Sequence, residues 1–164
     1  MISYQAVFAG AAGHSYGNYS IWNFAEPNRP GTGLEYGLKG SSIPWRDALA
    51  APGGDDMRHL KALMLSRPYL ARIPDQSVIV SPTGDGDRHL AATRGRDGSY
   101  LMVYIPEGQR LAVDLTKLSG QRAVGWWFDP RTGIARRIEV RCRPTIAALS
   151  LRQPPAKAKI GCWW

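Results

Sequence analysis

The spacing of apolar positions changes near residue 67, and that change divides the chain. Upstream lies one strong helical pattern. In Asp55 to Ser66 (DDMRHLKALMLS) the apolar residues Met57, Leu60, Leu63 and Met64 follow helical spacing. Paired aspartates stand at its N-terminal end, where the helix dipole favours them, and Pro68 stops it. His59 falls off the apolar stripe and reads as a solvated surface histidine. Met1 to Phe8 reads as the end of an earlier helix. The run Ala9 to Trp22 (AGAAGHSYGNYSIW) reads as a close-packing strand of small residues that delivers a polar and aromatic cluster into a cleft. Glu26 to Gly54 is rich in Gly and Pro, which predicts a long loop with a helical turn at Trp45 to Leu49. Tyr36 and Trp45 are the residues that could pack such a loop down.

After Tyr69 the texture becomes short β-like runs separated by turn signals: Ser77 to Val80, His89 to Arg94, Ser99 to Ile105, Arg110 to Leu115, Arg122 to Phe128 and Ile134 to Val140. Gly95-Arg96-Asp97-Gly98 predicts a hairpin turn, and Asp129-Pro130-Arg131-Thr132-Gly133 a proline-initiated one. Strands at this spacing predict an antiparallel β-sandwich. Tyr100, Met102 and Tyr104 share a face and read as core or edge packing. Adjacent Trp126 and Trp127 must point to opposite faces. Trp126 is expected in the core with Val124 and Phe128. Trp127 is then either covered by a neighbouring domain or exposed as a surface binding platform.

Charge adds less than its total suggests. The formal net charge is +8, but residues 141 to 164 hold Arg141, Arg143, Arg152, Lys157 and Lys159 and no acid, which leaves +3 for the rest. A scattered excess of that size is not a phosphate-tracking stripe, so nucleic acid is not an expected partner. No apolar run approaches the roughly 20 residues that span a bilayer, and no membrane partner is expected. The first basic residue is Arg29, so Met1 to Gly13 lacks the charged start of a secretory signal. Cys142 and Cys162 form neither a CxxC pair nor a cluster with histidine, and no metal or cofactor is expected.

Five ordered blocks carry a family resemblance: Ala9 to Trp22, Ser66 to Ile79 (SRPYLARIPDQSVI), Ala92 to Gly108 (ATRGRDGSYLMVYIPEG), Val113 to Gly120 (VDLTKLSG) and Trp126 to Gly133 (WWFDPRTG). Together they resemble the C-terminal part of the apiosidase-like glycoside hydrolases. The resemblance implies the last strand and helix of a (β/α)8 barrel in residues 1–66. It further implies an ancillary β-sandwich, named for collagen binding, in residues 67–164. The parent is then a bacterial-type, secreted or periplasmic enzyme acting on plant or complex polysaccharide. Glycoside hydrolysis needs two flanking carboxylates. The resemblance puts both upstream of Met1, so no catalytic residue is assigned within this chain, which is expected to be inactive alone.

What remains is the rim of a sugar pocket. Side chains at the C-terminal ends of barrel strands face the active site. His14 and Tyr16 alternate on a strand and can hydrogen-bond sugar hydroxyls, Trp22 can stack on a sugar ring, and Asn18 is a weaker contact. Glu26 and Glu35 lie in the following loop and read as solvated acids. Two other readings stay open: a free-standing sandwich that binds carbohydrate or an extracellular protein, and a decayed gene product. No residue supports a groove for collagen.

The tail departs from the resemblance. Arg141 to Trp164 shows no closing alternating strand. Shifting the codons of Leu149 to Trp164 by two bases permits Phe-Thr-Pro-Pro, a Gly/Glu-rich stretch and Asp-Trp-Leu-Leu-Val, which is the family ending. A frameshift near Val140 is therefore expected, and the coding DNA read in three frames decides it.

Overall fold

Tyr100–Tyr104 (β3) is buried at all five positions, because both its faces are covered. This strand sits inside a computed structural model that describes residues 2–26, 43–138 and the backbone of 159–163. The chain resolves into two compact units, Met1–His14 with His59–Trp164, and Ser15–Arg58.

The first unit is built on a six-stranded sheet. Its other strands are Arg72–Pro74 (β1), Ala91–Gly95 (β2), Val124–Phe128 (β4), Ala135–Ile138 (β5) and Lys159–Trp163 (β6). Their spatial order is β1-β2-β3-β6-β4-β5, with every neighbouring pair antiparallel. The hairpin between β2 and β3 falls at the expected turn. Gly98 takes φ +75°, and an added Cβ would meet the Lys117 carbonyl at 2.8 Å. The second turn is also as read. Gly133 adopts φ +70° and donates to the Asp129 carbonyl at 2.8 Å.

One sheet face carries the main apolar core. Leu90, Ala92, Leu101, Val103 and Ile105 pack there with Val78, Ile79, Leu111, Val113, Leu115 and Leu118. The chain covering this face differs from the expected strands. Ser77 to Val80 begins as a 3-10 turn over Gln76–Val78, because the Asp75 carboxylate caps it by accepting from the Ser77 amide. Arg110 to Leu115 meets it through a single antiparallel bridge, Ile79 to Val113. Flanking bonds run from the Val80 amide to the Ala112 carbonyl, 2.9 Å, and from the Asp114 amide to the Val78 carbonyl, 2.8 Å. Among the described residues this pair does not extend into a second sheet.

Ile2–Phe8 (α1) covers the opposite face. Its buried Tyr4 stacks on Tyr104 at 5.5 Å between centroids, and Phe8 lies tilted 6.2 Å from the same ring. The expected helix is present as Pro52–Leu65 (α4). It starts three residues earlier than the apolar pattern indicated, because Pro is well suited to a first helical position. Its buried residues Leu60, Leu63 and Met64 belong to the predicted stripe, whose fourth member, Met57, is half-buried. His59 is half-buried rather than solvated, its ring lying where a Cβ on Gly133 would come within 2.5 Å of Nδ1.

Register corrects the reading of the tryptophans. Val103, Ile160 and Trp127 pair across β3, β6 and β4, which puts Trp127 on the core face. There it is partly buried against the main cluster rather than standing fully exposed. Met102, Gly161 and Trp126 pair along the other face. Trp126 and Phe128 there line a groove of about 310 Å³ with Ala62, Leu63, Ser66 and Arg67. The sequence reading had the phase reversed because both faces of β4 are covered. Alternation alone cannot say which face meets the larger core.

The tail also differs from its reading. Lys159–Trp163 is a strand, and it holds the central position between β3 and β4. Residues 139–158, with Cys142, lie outside the described residues.

The second unit is small and irregular. Tyr19–Trp22 (α2) and Trp45–Ala48 (α3) are single helical turns, the latter where it was expected. The Trp45 amide donates to the Ala25 carbonyl at 2.9 Å, and Phe24 meets Trp45 edge-on at 5.5 Å. Phe24 sits at φ +49°, a left-handed conformation unusual for an aromatic residue. Residues 27–42, with Glu35 and Tyr36, lie outside the described residues.

Candidate functional site

The run from Ala9 to Trp22 was read as a strand, and it is not one. After α1 the chain closes with paired bonds from the Gly10 amide to the Val7 carbonyl, 3.1 Å, and from the Ala11 amide to the Ala6 carbonyl, 3.0 Å. This is a Schellman closure with Gly10 at φ +110°. Residues 13–18 then run without regular structure. A barrel strand is defined by neighbours on both sides, and no described strand lies beside this segment.

His14 is exposed, and so is Tyr16 at 43%. Tyr16 has a close neighbour, for a Cβ on Gly53 would lie 2.6 Å from its hydroxyl. Glycine at the start of α4 is therefore what lets the ring lie flat against that turn. Trp22 is more open than Tyr16, 74% exposed, with its ring tilted 5.8 Å from Tyr19. Such a ring is available for stacking on a sugar face. Asn18 also has a structural role. It is the N-cap of α2, and its side-chain oxygen accepts from the Ser20 amide at 3.0 Å. A capping Asn just before a short apolar run was the sequence signal for this role.

Several of the described acids are arranged as structural partners. Glu26 accepts from Arg46 at 2.7 Å, and Arg46 in turn lies 4.4 Å over the Trp45 ring. Glu107 pairs with Arg88 at 2.9 Å, Asp129 with Arg131 at 2.9 Å and Asp55 with Arg58 at 3.0 Å. Asp75 is the most enclosed of these paired acids. Its burial alone would raise the carboxyl pKa, but Ser77, Arg94 and Lys117 outweigh that and hold it well below the ordinary carboxylate range. Asp97 and Asp114 are lowered by bonds from Ser99 and Thr116. A general acid needs displacement in the opposite direction. Among the described residues, no three His, Cys, Asp or Glu side chains come together as a metal cluster, and no helix is long and apolar enough to cross a membrane.

The buried tyrosines are core groups rather than chemistry. Burial pushes the Tyr104 hydroxyl up to about 12, and it raises Tyr100, whose hydroxyl donates to the Pro68 carbonyl at 3.2 Å.

Comparison with known proteins gives these features a class. Residues 1–71 match the model "Apiosidase-like, catalytic domain", and residues 73–160 match "Putative collagen-binding domain of a collagenase". A crystal structure of a glycoside hydrolase family 5 protein from Bacteroides vulgatus ATCC 8482 is 33% identical, with a TM-score of 0.82. A second solved structure, described as a glycoside hydrolase, is 35% identical with a TM-score of 0.83. Each comparison covers 98% of this chain and 34% of the other, so the chain spans about a third of the length of the structures it matches. No curated protein matches. The chain is thus a glycoside hydrolase-related protein. Over residues 73–160, more than half its length, it belongs to the family described as the putative collagen-binding domain of a collagenase, and the apiosidase-like catalytic-domain match precedes that module.

Proposed function

We propose that this chain is the C-terminal portion of a polysaccharide-degrading glycoside hydrolase. It carries the end of the (β/α)8 barrel in residues 1–66 and an ancillary β-sandwich module in 67–164. The bond-breaking carboxylates belong to a part of the parent enzyme outside these residues, and the chain alone is inactive. The observation that carries this reading is the apiosidase-like catalytic-domain match over residues 1–71, on the segment that holds His14, Tyr16 and Trp22. In support, the described acids with displaced titration are all displaced downward, against the needs of a general acid. His14, Tyr16 and Trp22 are the substrate contacts in this reading. Asn18 serves them indirectly, by capping the turn that carries Trp22.

The competing reading, a carbohydrate- or extracellular-protein-binding sandwich, rested on an exposed Trp127. That ring is partly buried against the core, which lends the competing reading little support, and measurable binding by residues 67–164 alone would favour it. Residues 141–164 we read as the product of a shifted frame. The alternative Asp-Trp-Leu-Leu-Val ending falls on the codons of the central strand, β6.

Titration of the purified chain with plant oligosaccharides, followed by tryptophan fluorescence, tests the site. A weak saturable response is expected. Trp22→Ala should weaken it about tenfold, the loss of one stacking contact, with the circular dichroism unchanged. An unaltered response in that variant would remove Trp22 from the site.

A further inference from the structure

The sheet module reaches back to the segment that leads into His14. Arg72, the first residue of β1, directs its guanidinium at the end of α1. One terminal nitrogen donates to the Val7 carbonyl, and the other donates to the Ala11 carbonyl at 3.0 Å. The same guanidinium lies 5.0 Å over the ring of Tyr69, in the 3-10 turn Tyr69–Ala71 just before β1. Tyr69 in turn donates its hydroxyl to the Ala12 carbonyl at 2.5 Å. From the other side, an added Cβ on Gly10 would sit 3.2 Å from Pro74 Cγ. The carbonyls of residues 7, 11 and 12 are therefore held by side chains from residues 69 and 72. A cation at a helix C-terminus is also favoured by the helix dipole. Arg72 stands at the seam between the two family matches, which end at 71 and begin at 73.

We propose that Arg72 and Tyr69 are positioning residues: they fix the exit of α1, set the backbone that presents His14, and make the sheet module a brace for the sugar site. This deepens the reading of His14 as a substrate contact and rests on it. Three hydrogen bonds hold the carbonyls of Val7, Ala11 and Ala12, so the Schellman closure is stapled at both ends. A module serving only to capture a separate partner has no need of them.

The test uses the whole chain with Arg72→Met, which keeps the apolar stem, Arg72→Lys, which keeps the charge, and Tyr69→Phe, which removes one hydroxyl. Amide hydrogen exchange is read at Ala9 to Ala11 against β3, together with the imidazole resonances of His14. Arg72→Met and Tyr69→Phe should speed exchange at Ala9 to Ala11 about tenfold, leave β3 unchanged and shift the His14 signals. Arg72→Lys should recover part of both effects. Unchanged exchange at Ala9 to Ala11, or equal acceleration throughout the sheet, would overturn the proposal. Should Arg72→Met not fold, Tyr69→Phe decides alone. Oligosaccharide binding is measured in parallel: wild-type chain that binds none ends the reading of His14, whereas the exchange data judge the brace separately.

Discussion

Replacing Tyr104 with alanine is expected to lower the stability of the chain by about 4 kcal/mol, in the range seen for deleting a buried aromatic ring. The ring is 1% exposed and is shared by two elements. It belongs to β3, yet its faces and edges are used by Tyr4 and Phe8 of α1. Truncation leaves a cavity where helix and sheet meet, and neither side can close it without moving the other. For a chain of this length the midpoint of thermal unfolding should fall by roughly 10 °C. The loss should be uneven, with amides of α1 exchanging faster than those of β2. Tyr104→Phe keeps the ring and should cost far less, about 1 kcal/mol. A Tyr104→Ala variant within about 1 kcal/mol of wild type would mean that α1 does not rest on this ring.

The second large effect concerns Asp75, whose side chain is 13% exposed. Arg94 Nε lies 2.8 Å from Oδ2 and Lys117 Nζ lies 3.1 Å from it, while the Ser77 amide donates to Oδ1 at 3.1 Å. The carboxylate thus ties β2 and the Lys117 turn to the connection after β1. Asp75→Asn leaves the largely enclosed Arg94 and the more open Lys117 without their counter-charge and should cost about 2 kcal/mol at neutral pH. The pH dependence follows from the direction of the shift. The carboxyl titrates lower in the folded chain than in the unfolded one, so the unfolded state takes up the proton first as pH falls. The stabilisation is therefore complete above the ordinary carboxylate pKa and declines in acid, from about pH 5 downward. Urea unfolding of both proteins from pH 7 to pH 2 should show the gap between them narrowing as pH drops. A constant gap would assign the effect of the substitution to something other than the charge.

Local signals made part of this architecture readable. The apolar stripe of α4 and the Gly-Arg-Asp-Gly hairpin each depend on residues within one turn of each other. The elements that escaped depend on distant partners. β1 is three residues long and exists because Arg72 to Pro74 pairs with β2. Lys159–Trp163 has no strand pattern of its own, yet it fills the position between β3 and β4. Ala9 to Trp22 shows the converse, since strand-like composition without ladder partners gives no strand. At the site, His14, Tyr16 and Trp22 were legible as a polar and aromatic group facing a cleft, whereas the structure leaves all three exposed and off any strand. The capping bond of Asn18 had a further local signal, a capping residue just before a short apolar run. Arg72 and Tyr69 gave no signal at all, as their role lies in carbonyls some sixty residues away in the chain.

Sugar release by the purified chain is the most direct measure of the central claim, that a pocket rim is present here without the acids that cleave. Plant polysaccharides and aryl glycosides, apiosides among them, are incubated with the protein, and reducing ends or free aglycone are counted. Release no faster than in buffer is the expected result. Release that depends on the folded chain and disappears on replacing one of its own acids, such as Glu26, would contradict the account.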